Sequence, residues 1–178
     1  MENKVSVWKA NINNGVILGF AGIVFTLVLW FMDQSLNKSL GYIWLLVLLF
    51  VLFFMIKSYR DNYLKGFITY GQSLGAGVII MLYYAIISAI FGYILYKFID
   101  PGLLDKMIAM AEQGMVDRGL PEASIEAGLK IQKKIMVPGV LSAISILNTM
   151  FMGTIMALLV SIFTRREGNP LIDDSIEE

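Results

Sequence analysis

The side chains that could carry out chemistry in this chain are few, and they are acidic or basic. Arg60 and Asp61 are adjacent, Asp100 is followed by Pro101, and Asp105 comes shortly after. Two carboxylates that converge in a cleft can act as general acid and general base. Asp61 and Asp100 follow different apolar segments, however, and the predicted topology places them at opposite faces of a membrane. The sequence therefore predicts no catalytic residue.

Composition excludes further chemistries. The 178-residue chain contains no histidine and no cysteine, which removes the commonest general base, the commonest transition-metal ligand, thiolate catalysis and disulfides. It has no glycine-rich phosphate loop, serine-elbow motif or metal-ligand spacing. We therefore predict no cofactor and no metal site, and an enzyme is the less favoured class. Fourteen basic against fourteen acidic residues leave no net charge, which argues against nucleic acid as a partner.

The elements that position these side chains are apolar. Hydrophobic residues make up 57% of the chain and charged residues 16%, whereas a soluble domain is about 45 to 50% apolar and about 25% charged. About 20 apolar residues in a helix cross the hydrocarbon core of a bilayer. Four segments meet this requirement, at residues 15–32, 40–56, 72–97 and 138–163. We predict an all-α fold, a four-transmembrane-helix bundle that forms a single membrane domain over residues 1–178.

Residues 98–137, between the third and fourth spans, form an extramembrane region with its own helical pattern. Apolar residues from Leu104 to Met115 recur at helical spacing, and a break follows at 119–121. A second pattern then places Ile125 and Leu129 on one face, with lysines in its last turns. We predict two short amphipathic helices that lie on the membrane surface or cap the bundle; contact with a partner membrane protein is the alternative. Residues 167–178 are predicted to be a disordered acidic tail.

Small residues recur at four-residue spacing in three of the predicted spans. In a membrane, such rows let helix backbones approach closely. We expect helix packing at Gly15, Gly19, Gly71, Gly75, Ser145, Thr149, Gly153 and Ala157. Packing inside the bundle accounts for these rows, and a homodimer seam along the fourth span is the alternative. Asn148 is an amide well inside that span, and we interpret it as an interhelical hydrogen bond rather than a substrate contact.

Three classes of function remain open. A structural or accessory membrane protein is favoured, because no span contains an ionisable residue of the kind that proton-coupled transporters use. An oligomeric transporter or channel component would need a neutral polar path, for which the candidates are Gln72, Ser88, Ser145 and Asn148. An intramembrane or interfacial enzyme would have to use Asp61, Asp100 or Asp105.

The basic residues give a weak indication of orientation. Four spans place both termini on one side, and each side then carries seven lysines and arginines. The lysines and arginines that flank the first span therefore determine the predicted orientation, because the first helix usually dominates orientation. Two lysines precede that span and one follows it. We therefore predict that both termini are cytoplasmic.

Several short motifs occur in a fixed order along the chain. They are Lys57-Ser58-Tyr59-Arg60-Asp61, Gly66-Phe67-Ile68-Thr69-Tyr70-Gly71-Gln72, Phe98-Ile99-Asp100-Pro101 and Pro138-Gly139. This pattern, from about Asn14 to Phe163, resembles a bacterial family of four-helix membrane proteins of unknown function. The resemblance implies a bacterial inner-membrane location and four spans, and it implies no activity. The candidate functional positions that match it are Arg60, Asp61, Gln72, Asp100 and Pro101.

Overall fold

A computed structural model describes residues 6–168, and these residues form six α-helices. The helices are α1 (Val7–Phe31), α2 (Lys38–Tyr63), α3 (Tyr70–Ile94), α4 (Gly102–Val116), α5 (Glu122–Ile135) and α6 (Pro138–Thr164), and a π-helical segment (Leu95–Ile99) continues α3. No strand occurs within residues 6–168, so the all-α prediction is confirmed there. The predicted tail at 167–178 lies almost entirely outside the described residues.

Four of these helices are long and apolar enough to cross a membrane. They are α1, α2, α3 with its π-helical continuation, and α6, with mean hydropathies of 2.0 to 2.6. Even α1, the shortest, measures about 37 Å at 1.5 Å per residue, which exceeds the roughly 30 Å of hydrocarbon. The helices extend beyond the apolar segments: α1 begins at Val7 rather than near residue 15, and α2 continues to Tyr63. Apolarity marks the hydrocarbon crossing, whereas the helical hydrogen-bond ladder can continue into the headgroup region.

Helix α3 lies at the centre of the bundle. It packs along α1 on one side and along α6 on the other, and α2 makes smaller contacts with α3 and α6. Leu52 and Ile56 of α2, Ile80 of α3 and Ala157 of α6 are all completely buried in the shared core. Because α3 contacts every other long helix, it fixes the relative positions of the others.

The outer surface of the bundle is also apolar. Phe20, Phe50, Phe151 and Phe163 each expose more than half of their surface, and they belong to three different helices. Contiguous apolar surface on this scale is rare in soluble monomers because water would drive it to associate. Lipid tails cover such a surface without cost, which indicates a multi-pass membrane protein.

The helix α3 begins at a capping box. The Thr69 hydroxyl accepts a hydrogen bond from the backbone N–H of Gln72, and the Gln72 side chain accepts one from the backbone N–H of Thr69. Two N–H groups that the first helical turn leaves unpaired are satisfied in this way. The helix therefore starts at Tyr70, two residues before the apolar segment predicted at 72–97.

The region between α3 and α6 contains the two short helices α4 and α5, which form a hairpin. Leu103 and Leu104 at the start of α4 are buried, whereas α5 has no buried residue. Gly128 of α5 lies against the Met115 side chain of α4, so the two helices pack on each other. The hairpin is thus tied to the bundle mainly through the first turn of α4.

Candidate functional site

Arg60 links the ends of two helices. Its Nε lies 2.8 Å from Oδ1 of Asp61, and its Nη1 donates to the carbonyl oxygen of Thr164 over 3.2 Å. The last four carbonyls of a helix have no partner within that helix, and a cation near them is favourable. The Arg60 side chain is only 13% exposed. Arg60 therefore caps the C-terminal end of α6 from the last turns of α2.

A buried pair of hydroxyls lies beneath this cap. Thr164 donates its hydroxyl hydrogen to the Val160 carbonyl, and Oγ of Ser73 lies 2.6 Å from Oγ1 of Thr164. With the Thr164 hydrogen engaged, Ser73 is the donor in that pair. The contact joins α3 to α6, so one end of the bundle connects α2, α3 and α6 through polar groups. We call this the Arg60 end.

A short backbone pairing closes the Arg60 end. Ile68 and Arg166 exchange two N–H to carbonyl hydrogen bonds of 2.8 and 2.9 Å, which tie the α2–α3 loop to the residues after α6. The Arg166 guanidinium lies over the Phe67 ring, 5.7 Å from its centre. Gln72 lines a surface cavity beside this pairing, but its side-chain oxygen is already engaged in the α3 cap.

Asp100 holds the opposite end of the bundle together. Its Oδ2 accepts a hydrogen bond of 3.1 Å from the indole N–H of Trp30 at the end of α1. Its backbone N–H donates to the Leu95 carbonyl, and its carbonyl accepts from the N–H of Leu103. Asp100 thus joins α1, the π-helical segment and α4. Pro101 is exposed and stands immediately before α4, where its missing N–H is not needed. We call this the Asp100 end.

A surface cavity of about 380 Å³ lies at the Asp100 end. Asp33 and Asp100 both line it, together with Lys106. Nζ of Lys106 lies 3.4 Å from Oδ1 of Asp33. Both side chains are largely exposed to solvent, so this ion pair is weak. Asp100 is held by Trp30. The two carboxylates are thus each engaged with a partner of their own.

An aromatic cluster lies between the helices on the Asp100 side. The indole N–H of Trp44 donates to the Tyr84 hydroxyl over 3.0 Å, and the Trp44 ring stacks on Phe25 with ring centres 4.5 Å apart. Tyr84 also lies against Gly22, where a methyl group would come within 2.8 Å of the ring. The cluster joins α1, α2 and α3. Trp44 and Tyr84 are 40 residues apart, so no local sequence pattern predicts this contact.

Four of the predicted packing positions lie at close helix contacts. A methyl group on Gly15 would collide with Tyr83, and one on Gly19 would lie 2.8 Å from Ile87, so α1 and α3 meet there. A methyl group on Gly153 would lie 2.8 Å from the Met81 side chain. Ala157, one turn later, is completely buried. Ser145 and Thr149 are half-buried on the same side of α6, and Ser145 donates to the Ser142 carbonyl of its own helix.

The packing predicted at Gly71 and Gly75 is corrected by the structure. A methyl group on either glycine would meet no atom within 4 Å, because both glycines lie on the side of α3 away from Ser73, which contacts α6. The close approach occurs at Gly77, where a methyl group would lie 2.8 Å from the Ala157 side chain. The four-residue spacing correctly indicated that α3 packs closely on another helix. It did not indicate which glycine lies at the contact, because that depends on how α3 packs on α6.

Asn148 lies on the outer surface of α6. Its side chain is exposed and makes no hydrogen bond within residues 6–168. The interhelical hydrogen bond predicted for this amide is therefore not formed inside the described part of the chain. Helical geometry explains why: Gly153 and Ala157 face α3, and Asn148 lies on the opposite side of the helix.

The candidate residues do not converge on one site. Arg60, Asp61 and Gln72 lie at the Arg60 end, Asp100 and Pro101 lie at the Asp100 end, and Asn148 faces outward between them. Within one chain Gln72 is engaged in a helix cap and Asn148 is on the outside, so these two side chains do not line a common path there. Arg60, Gln72 and Asp100 each stabilise a helix end through hydrogen bonds within the fold.

An apolar groove runs along the outside of the bundle between α2 and α6. It has a volume of about 300 Å³ and is lined only by hydrophobic side chains, including the rings of Phe50, Phe53, Phe54 and Phe163. A groove without polar groups offers nothing to orient a polar ligand. In a membrane it would be filled by lipid tails.

Comparison with known proteins identifies a family for this chain. No curated protein and no solved structure matches the chain. Residues 13–166 match the sequence profile of a family described as protein of unknown function, DUF4199. The match covers both ends of the bundle and all four long helices, apart from the first turns of α1. The chain belongs to the DUF4199 family.

Proposed function

We propose that this chain is a non-enzymatic, multi-pass membrane protein with a structural or accessory role, and that it acts by presenting the α4–α5 hairpin at the membrane surface. The observation that carries this proposal is the placement of α5. No residue of α5 is buried, yet the helix has a well-defined apolar side. An amphipathic helix that is not covered by its own protein needs another apolar surface beside it.

The two sides of α5 support a surface-lying hairpin. Ile125 and Leu129 are half-buried on the side nearer α4, and Ile131, on an adjoining side, is 61% exposed. Lys130 and Lys133 are exposed and lie about 100° and about 160° around the helix from Ile131. Long lysine side chains can reach water while the apolar side of their helix rests in the headgroup region. This arrangement suits a helix that contacts lipid or the apolar surface of a partner protein.

The polar residues of the bundle favour a structural role over catalysis or transport. Arg60 caps α6, Gln72 caps α3, and Asp100 binds the Trp30 indole. Each of these side chains thus has a partner within the fold that accounts for its presence. A catalytic or transport site would instead gather several polar groups around one cavity.

We also propose a location and an orientation. Family membership and the four apolar helices support a multi-pass protein of the bacterial cytoplasmic membrane. The lysines before α1 favour cytoplasmic termini. The Arg60 end, which carries Lys57, Arg60 and Arg166, then faces the cytoplasm. The hairpin lies on the opposite side.

Photo-cross-linking from α5 in native membranes tests the proposed role. A photoreactive side chain at Ile131 is expected to form adducts with lipid or with one reproducible protein. The matched control is Lys133, two residues away on the water-facing side of α5, which is expected to form few adducts. Equal adduct yields from the two positions would mean that α5 has no preferred apolar contact, and this result contradicts the proposal.

A further inference from the structure

The amide of Asn148 is placed where a membrane protein does not leave a polar group alone. It is exposed on α6 between two large apolar residues of the same outer surface, Leu147 and Phe151. No other residue in the described part of the chain hydrogen-bonds to it. Two other polar side chains of α6, Ser145 and Thr154, each donate to a carbonyl of their own helix.

The depth of Asn148 excludes water and lipid headgroups as its partners. It lies about 15 Å from the Pro138 end of α6 and about 24 Å from the Thr164 end, at 1.5 Å per residue. If the roughly 30 Å hydrocarbon core is centred on α6, the amide lies about 10 Å inside it. Lipid tails offer no hydrogen-bonding group at that depth, and a short amide side chain cannot reach the headgroups. Another protein segment can supply both the donor and the acceptor that the amide lacks.

The surface around Asn148 is shaped for a helix. Ile144, Asn148, Phe151 and Ile155 follow one another at intervals of four, three and four residues, so they form one stripe along α6. All four are exposed. Intervals of three and four residues are those at which one helix packs against another. The stripe is distinct from the row of small residues that contains Gly153, because α3 already occupies that row.

We propose that a second copy of this chain packs against the Asn148 stripe, and that the two Asn148 amides hydrogen-bond to each other across a two-fold axis. A carboxamide has both a donor and an acceptor, so two identical amides related by a two-fold axis satisfy each other. A second copy therefore supplies the missing group without any further assumption about the partner. This proposal rests on the membrane location proposed above, and it adds a second copy of the chain as a partner of the bundle.

Disulfide trapping tests this interface directly, because the natural chain has no cysteine. Phe151→Cys introduces a single thiol within the stripe, and mild oxidation in membranes is expected to give a covalent dimer. The matched control is Phe50→Cys on α2, because Phe50 is 65% exposed and Phe151 67%, and both lie near the middle of their helices. The control is expected to stay monomeric.

Two further variants test the role of the amide. In the Phe151→Cys background, Asn148→Leu is expected to weaken dimerisation about fivefold to thirtyfold, the effect of losing about 1 to 2 kcal/mol of interhelical hydrogen bonding. Asn148→Gln keeps both donor and acceptor and is expected to retain the dimer. Trapping that is no stronger for Phe151→Cys than for Phe50→Cys overturns the proposal, and so does trapping that Asn148→Leu leaves unchanged. A disulfide to a different protein overturns it as well.

Extraction of the same membranes with alkaline carbonate separates the two proposals. A chain that is released into the soluble fraction contradicts the proposed membrane protein. A chain that stays in the membrane but is not trapped as a dimer contradicts only the Asn148 interface.

Discussion

At the scale of single residues, the glycines of the long helices differ in what a methyl group would meet. A methyl group on Gly153 lies 2.8 Å from Cβ of Met81, which cannot move without moving its backbone. A methyl group on Gly75 meets nothing within 4 Å. The first glycine is required by close packing, and the second is not.

We expect Gly153→Ala to destabilise the protein by about 1 to 3 kcal/mol, because overpacking forces α3 and α6 apart. Gly75→Ala is the matched control, and it should leave stability unchanged or raise it by up to about 1 kcal/mol through the lower flexibility of alanine. Thermal unfolding of the detergent-solubilised protein measures both. A Gly153→Ala protein as stable as the Gly75→Ala protein would contradict the close approach of α3 and α6.

Tyr84 is a second residue with a defined task, since its hydroxyl accepts the hydrogen bond of the Trp44 indole. We expect Tyr84→Phe to destabilise the protein by about 1 to 3 kcal/mol, because a partly buried N–H loses its acceptor. Tyr42→Phe removes a hydroxyl from a side chain that is 70% exposed, and it should change stability by less than about 0.5 kcal/mol. Equal melting temperatures for the two variants would show that the Trp44 contact contributes nothing.

At the scale of helices, the ends of α2, α3 and α6 are joined at the Arg60 end. Arg60 binds the carbonyl of Thr164, and Thr164 contacts Ser73 through its hydroxyl. Backbone bonds between Ile68 and Arg166 lie beside them. These contacts hold the last turn of α6 in place, where the helix has no bonding partners of its own.

We expect Arg60→Gln to loosen the C-terminal turn of α6, since a shorter neutral side chain loses the charge-assisted bond to Thr164. Hydrogen–deuterium exchange should increase in the segment 161–166, and stability should fall by about 1 to 3 kcal/mol. Lys57→Gln is the control, because Lys57 is an exposed cation one turn earlier on the same helix. Exchange that rises equally in both variants would point to a general loss of charge rather than to the cap.

At the scale of the whole molecule, the four long helices could be predicted from the sequence, because a run of apolar residues long enough to cross a bilayer is a local property. The two helices between the third and fourth spans also left a local pattern. The contacts that join the helices could not be predicted in this way, because their partners are far apart in the sequence. Trp30 and Asp100 are 70 residues apart, and Arg60 and Thr164 are 104 apart.

The side of each long helix that packs inside the bundle could not be predicted from the sequence either. A helix that is apolar all round carries no periodic signal that distinguishes its inner from its outer side. The packing predicted at Gly71 and Gly75 therefore fell on a part of α3 that faces no neighbour, and the amide of Asn148 faces outward rather than into the bundle. Only the packed structure separates the face toward α3 from the face toward lipid.

We propose that the four long helices cross a membrane and that the hairpin then lies on the side opposite the Arg60 end. Single cysteines at Asn62, after the apolar part of α2, and at Glu126 of α5 are both exposed and can be labelled with a membrane-impermeant maleimide. We predict that Glu126→Cys reacts in intact cells and that Asn62→Cys reacts only after lysis. If both positions react from the same side, α3 does not cross the membrane, which contradicts the four-span fold. Reaction of Asn62→Cys alone in intact cells contradicts the proposed orientation.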